Sequence, residues 1–135
     1  MKGRKPDALP AADDALVKIP SPPAWLSKHA KAEWRRTAPT LAARQTLTTG
    51  DLALFEAFCA AAGAIREAQA ALDRDGPYFA AENGLLKRHP ALSAQIQATA
   101  TLRQCAAELG LTPVARSRVA GKVADGDNDP SPLDL

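Results

Sequence analysis

Between Leu26 and Leu109 apolar residues return at steps of three and four, the period of helices buried along one side. The first run is Leu26, Ala30, Trp34, Thr37 and Leu41, and it predicts a buried stripe on a helix that starts after Ser27. Serine suits that place because its hydroxyl accepts from a free amide of the first turn. Pro39 is expected to end or kink this helix, leaving a short helical turn over 41–44. Thr48-Thr49-Gly50-Asp51 predicts a capping box, with Asp51 reaching back to the cap. A second helix then runs to about Asp75, where Gly76 provides a left-handed C-cap. Along it Leu54, Phe58, Ala61, Ile65, Ala68 and Leu72 form one seam, and Leu52, Phe55, Cys59 and Ala62 a strip beside it. Two adjacent strips mean burial over a wide arc.

The periodicity breaks after Gly76. Tyr78-Phe79-Ala80-Ala81 and Leu85-Leu86 flank Asn83-Gly84, which predicts a short β-hairpin or an ordered loop. Pro90 fits the first position of a third helix, whose expected inner face is Leu92, Ile96, Thr99, Leu102, Ala106 and Leu109, and Gly110 ends it. Thr112-Pro113 repeats the start signal and predicts a short fourth helix to about Ala120, closed by Gly121. Five of the 11 prolines fall in residues 1–24, so that arm is expected to be extended or disordered. The predicted fold is all-α: two long antiparallel helices, short flanking helices, a small hairpin or loop, and disordered termini. Three regions follow: a proline-rich basic arm over 1–24, a helical domain over 25–121, and an acidic tail over 122–135.

Composition sharpens this picture. Of the 135 residues 46% are hydrophobic but only 4% aromatic, because 30 are alanine. Alanine buries little area, so one copy has a thin core to set against its ordering entropy. A large enzyme with a deep cavity does not fit. No apolar run approaches the roughly 20 residues that span a bilayer, so no membrane partner is expected. The basic N-terminus lacks the apolar stretch of a secretory signal. Cys59 and Cys105 stand far apart without a metal-ligand spacing, and reduced core thiols are expected rather than a metal site or disulfide framework.

The formal net charge is +2, but it is unevenly placed. Four acids, Asp125, Asp127, Asp129 and Asp134, lie in the tail, leaving 17 basic against 11 acidic residues over 1–124. Such a body suits a polyanionic partner, and equally an ordinary solvated surface. His29 and His89 fit surface or capping positions, no serine lies in a nucleophile elbow, and no phosphate-binding loop is present. No catalytic residues, metal ligands or cofactor are assigned. Lys28, Lys31, Arg35 and Arg36, followed by Arg44, form the main cationic group. Lys2, Arg4 and Lys5 give a basic arm of the composition that enters minor grooves, and Arg116, Arg118 and Lys122 form a third cluster. These groups are the DNA-binding candidates; an ordinary solvated face is the alternative reading.

Taken in order, several short segments resemble the small terminase subunit of tailed bacteriophages and prophages. They are Gly3-Arg4-Lys5-Pro6, Pro22-Pro23-Ala24-Trp25-Leu26-Ser27, and Ala30-Lys31-Ala32-Glu33-Trp34-Arg35-Arg36. Pro39, Leu41, Leu47-Thr48 and Asp51 follow, then Asn83-Gly84, His89-Pro90-Ala91-Leu92 and Ala107-Glu108-Leu109-Gly110-Leu111-Thr112-Pro113. The resemblance covers roughly residues 1–120. It implies a non-enzymatic protein of the bacterial host's cytoplasm that binds double-stranded viral DNA at the packaging site. It also implies assembly into a homo-oligomeric ring that regulates a large subunit carrying the ATPase and nuclease. The long helices, about 49–75 and 90–109, are then the expected oligomerisation core, with Leu54, Phe58, Ile65 and Leu72 on its seam. Two other functions fit the residues alone: a helical adaptor or structural module, and a small helix-turn-helix transcriptional regulator.

Overall fold

Ser27 decides where the first helix begins: its Oγ accepts from the Ala30 amide at 3.2 Å. The computed structural model describes residues 14–117. Helix α1 spans Lys28–Arg44, and a 3-10 turn at Thr49–Asp51 leads into α2, Leu52–Asp75. Strands β1, Tyr78–Ala80, and β2, Leu86–Arg88, pair antiparallel with Phe79 opposite Lys87. Helix α3, Pro90–Glu108, follows, and residues 113–117 form a further helical turn. The fold is thus mainly helical with one small hairpin. The arm residues 1–13 and the tail from 118 onward lie outside the described residues, and with them Lys2, Arg4, Lys5, Arg118, Lys122 and the tail aspartates.

Helix α2 is the centre, packed on one side by α1 and on the other by α3. Most of its apolar arc is buried: Phe55 and Cys59 completely, and Phe58, Ala61, Ala68 and Leu72 nearly so. Trp34 of α1 meets Phe55 with ring centroids 4.3 Å apart, and Leu26, Ala30 and Leu41 complete the α1 side. The two helices meet closely at Gly63, where an added Cβ would lie 2.7 Å from Ser27 Oγ and 2.9 Å from the Ala30 amide nitrogen. At the start of α2 the Asp51 carboxylate accepts from the Thr48 amide and hydroxyl, both at 3.0 Å, as the capping box requires. At its end Gly76 takes φ +77° and donates to the Leu72 carbonyl at 2.7 Å.

Three expectations are corrected. Pro39 does not break α1, which runs on through it for 17 residues and is nearly as long as the 19-residue α3. The proline ring is exposed, while Ala38 and Leu41 around it are buried, so packing outweighs the lost N–H bond to the Arg35 carbonyl. Within the α1 stripe Ala38 is buried and Thr37 only half-buried, because 3.6 residues per turn carry the stripe one place along. Helix α3 keeps only part of its expected face: Leu102, Ala106 and Leu109 pack against the core, whereas Ile96 and Thr99 are exposed and Cys105 is its one buried residue.

The segment before α1 is extended and packs against the body. Leu16 donates to the Leu47 carbonyl at 2.8 Å, the Trp34 indole donates to the Pro20 carbonyl at 2.8 Å, and Leu16 and Ile19 lie against the core. At the other end of the molecule the hairpin turns at Asn83-Gly84, with Gly84 at φ +78°. Pro90 does open α3, and His89 is its cap: Nδ1 accepts from the Ala91 amide at 3.0 Å.

Candidate nucleic-acid interface

Lys28, Lys31 and Arg35 recur at steps of three and four, so α1 presents them on one face. Lys28 and Arg35 are exposed and Lys31 is half-buried. They cover about 10 Å of helix axis. The extended strap adds Lys18, which lines with Arg35, Pro39 and Ala42 a shallow cleft of about 360 Å³ between strap and helix. Lys18 escaped the sequence reading because it lies in a proline-rich segment with no period to give it a direction. Among the described residues none of these four cations forms an ion pair; the pairs are Arg36 with Glu33, Arg74 with Asp75, and His89 with Asp75.

The rest of the expected cluster is divided. Arg36 points to the other flank of α1 and pairs with Glu33, which also accepts from the Thr37 hydroxyl at 3.0 Å. That flank borders an open cleft of about 510 Å³ between α1 and α3, floored by Phe58, Ala62 and Ile65, with Arg66 and Leu102 on its far side. Arg44 is drawn into the fold: its Nη1 donates to the Gly110 carbonyl at 2.9 Å and ties the end of α1 to the end of α3. Arg116 donates to the Leu111 carbonyl at 3.1 Å. One face of the cluster, Lys28, Lys31 and Arg35, is thereby left open to a ligand.

Of the seam residues, Phe58 and Leu72 are buried by the chain's own packing, whereas Leu54 and Ile65 are half-buried. The large exposed apolar groups sit elsewhere. Tyr78, Phe79, Leu85 and Leu86 of the hairpin are 45% to 71% exposed, and Ile96 in the second turn of α3 is 56% exposed. Such a concentration at one tip exceeds the scattered apolar exposure of an ordinary surface.

Elsewhere the titratable groups serve the fold. Burial, and then the Glu33 carboxylate, push the Cys59 thiol up to about 12. Burial also raises Cys105; both cysteines are free. The hydrogen bond from Arg74 and then that from His89 lower Asp75 to about 2. Among the described residues no His, Cys, Asp and Glu gather in a group able to hold a metal ion. No described helix is long and apolar enough to cross a membrane.

No curated protein and no solved structure matches the chain. A family does: the sequence model described as phage terminase, small subunit, matches residues 30–126, which takes in all of α1 but its first two residues, α2, the hairpin and α3. More than two thirds of the sequence is covered, and the chain belongs to the small-subunit family of phage terminases.

Proposed function

We propose that this chain binds double-stranded phage DNA at its packaging site through the α1 face formed by Lys28, Lys31 and Arg35, with Lys18 beside it. It does so as a homo-oligomeric ring in the host cytoplasm, and in that form regulates the ATPase and nuclease of the large subunit. It contributes binding, not catalysis. The observation that carries the reading is the set of three cations on one helix face, unpaired among the described residues, in a member of the terminase small-subunit family. Charges spaced in this way track phosphates, and no feature of the face reads a base edge. Affinity for the duplex then comes from several copies engaging it at once, since assembly raises the effective concentration of each weak surface.

The arm supports the assembly. Beyond the reach of α1 the second half of α2 and the first half of α3 extend together, tipped by the exposed apolar hairpin. Contact between copies through this arm buries surface that a thin alanine-rich core leaves open. The arm lies away from the basic face, so both are available at once.

Replacing Lys28, Lys31 and Arg35 together with alanine tests the DNA face. The expected result is weaker duplex binding, with the slope of log affinity against log salt reduced by about 2 to 3, since each phosphate contact adds roughly 0.9. Arg36→Ala is expected to leave that slope unchanged, because Arg36 is held by Glu33. Titrations of a labelled duplex at several salt concentrations decide the matter. An unaltered slope in the triple variant moves the site to Lys2, Arg4 and Lys5 or to Arg116 and Arg118.

A further inference from the structure

The described fold ends at Ser117, and the sequence beyond carries Asp125, Asp127, Asp129 and Asp134 with no Lys or Arg after Lys122. We propose that this acidic segment docks on Lys28, Lys31 and Arg35 of its own chain and there competes with DNA. The competition rests on the DNA reading above; the docking does not.

Chain length permits the contact. The Arg44 bond to Gly110 places the start of the last helical turn beside the C-terminal end of α1. From Arg44 the axis of α1 runs about 14 Å back to Arg35 and about 24 Å to Lys28. Passing around the helix adds its diameter, about 10 to 12 Å. Eight residues separate Ser117 from Asp125 and twelve separate it from Asp129, enough for about 27 Å and 40 Å of extended chain. The first three aspartates therefore reach the whole face. Of the other exposed basic pairs, Arg36 and Arg66 share the cleft between α1 and α3 with Arg36 paired to Glu33, and Lys87 and Arg88 sit beyond the far end of α3, about 28 Å away along a 19-residue helix; each offers two cations where the α1 face with Lys18 offers four.

Charge complementarity sets the strength. Exposed pairs are individually weak and screened by salt. Tethering holds the segment near the face at roughly millimolar effective concentration. The contact is thus formed at low salt and released as ionic strength rises.

The test uses the full chain with Ser131→Cys carrying a nitroxide, the native Cys59 and Cys105 being buried. At low salt the amide signals of residues 28–35 are expected to broaden, and to recover at high salt or when Asp125, Asp127 and Asp129 are all changed to Asn. The same triple variant should bind a short duplex about 3 to 10 times more tightly at low salt, with the difference gone at high salt. Absence of broadening, or broadening untouched by the Asn changes, overturns the docking. Broadening seen only between separately labelled copies overturns it as a contact within one chain. Clear broadening with equal affinities overturns the competition alone. A chain that binds no duplex removes the DNA reading while the broadening still decides the docking.

Discussion

Gly63 shows what a single missing atom does. It is buried at a close approach of α1 to α2, facing Ser27 Oγ and the backbone of Ala30. Those atoms belong to the cap and first turn of α1, so they cannot yield without loosening the cap. Gly63→Ala is expected to destabilise the fold by about 1 to 3 kcal/mol despite alanine's better helix propensity. A thermal unfolding curve shifted down by several degrees checks this; an upward shift refutes the close packing. Asp75 offers a pH readout at the base of the hairpin. Arg74 and His89 hold its carboxyl at about 2, below the ordinary 3.8. A carboxyl depressed by folding lends stability above its unfolded value, and that stability is lost as pH falls through about 2. The His89 Nε2 bond to Asp75, 3.0 Å long, should therefore persist at pH 4 and open near pH 2, followed by carboxyl chemical shifts. Neither role was legible in the sequence. A glycine inside a helix and an aspartate at its end have many uses, and only the neighbours select one.

At the scale of elements, starts and stops were largely legible and facing was not. Ser27, the Thr48 and Asp51 box, Gly76 and Pro90 each act within one turn of chain, so their chemistry is local. Pro39 is the exception, since burial of Ala38 and Leu41 on either side holds α1 together across it. Pro39→Ala restores the missing donor on an exposed site. It is expected to stabilise the chain by about 1 to 2 kcal/mol, part of the interior proline cost being offset by greater freedom of the unfolded chain. A higher denaturation midpoint is the result that agrees. The face of α3 was read correctly at Leu102, Ala106 and Leu109 and wrongly at Ile96 and Thr99, which fit the helical period as well as the residues that pack. An alanine-rich helix has little contrast between its sides, so its partner fixes the rotation.

For the whole molecule, the thin core anticipated from composition is present, but its unmet surface lies at an unexpected place. The α2 seam residues Phe58 and Leu72 are covered within one chain; Val17, Trp25 and Val114 are exposed singly, and the hairpin tip with Ile96 is where exposed apolar groups gather. If the arm joins copies, Phe79→Asp with Leu86→Asp should reduce the mass seen by light scattering while leaving helical content unchanged. A mass equal to that of the parent chain places the interface elsewhere. The cationic candidates behave in the same way. Their identities could be read in sequence, yet Arg36 and Arg44 proved to be engaged by Glu33 and by the Gly110 carbonyl 66 residues on.

The sequence by itself determined the helical class, the caps, the turn at Asn83-Gly84 and the family resemblance, because each depends on residue types within a few positions of one another. The tertiary structure decided which side of α3 is inside, that α1 survives its proline, and which cations remain open to a ligand. Those outcomes depend on contacts between residues distant in the chain, where burial against a particular neighbour outweighs local preference.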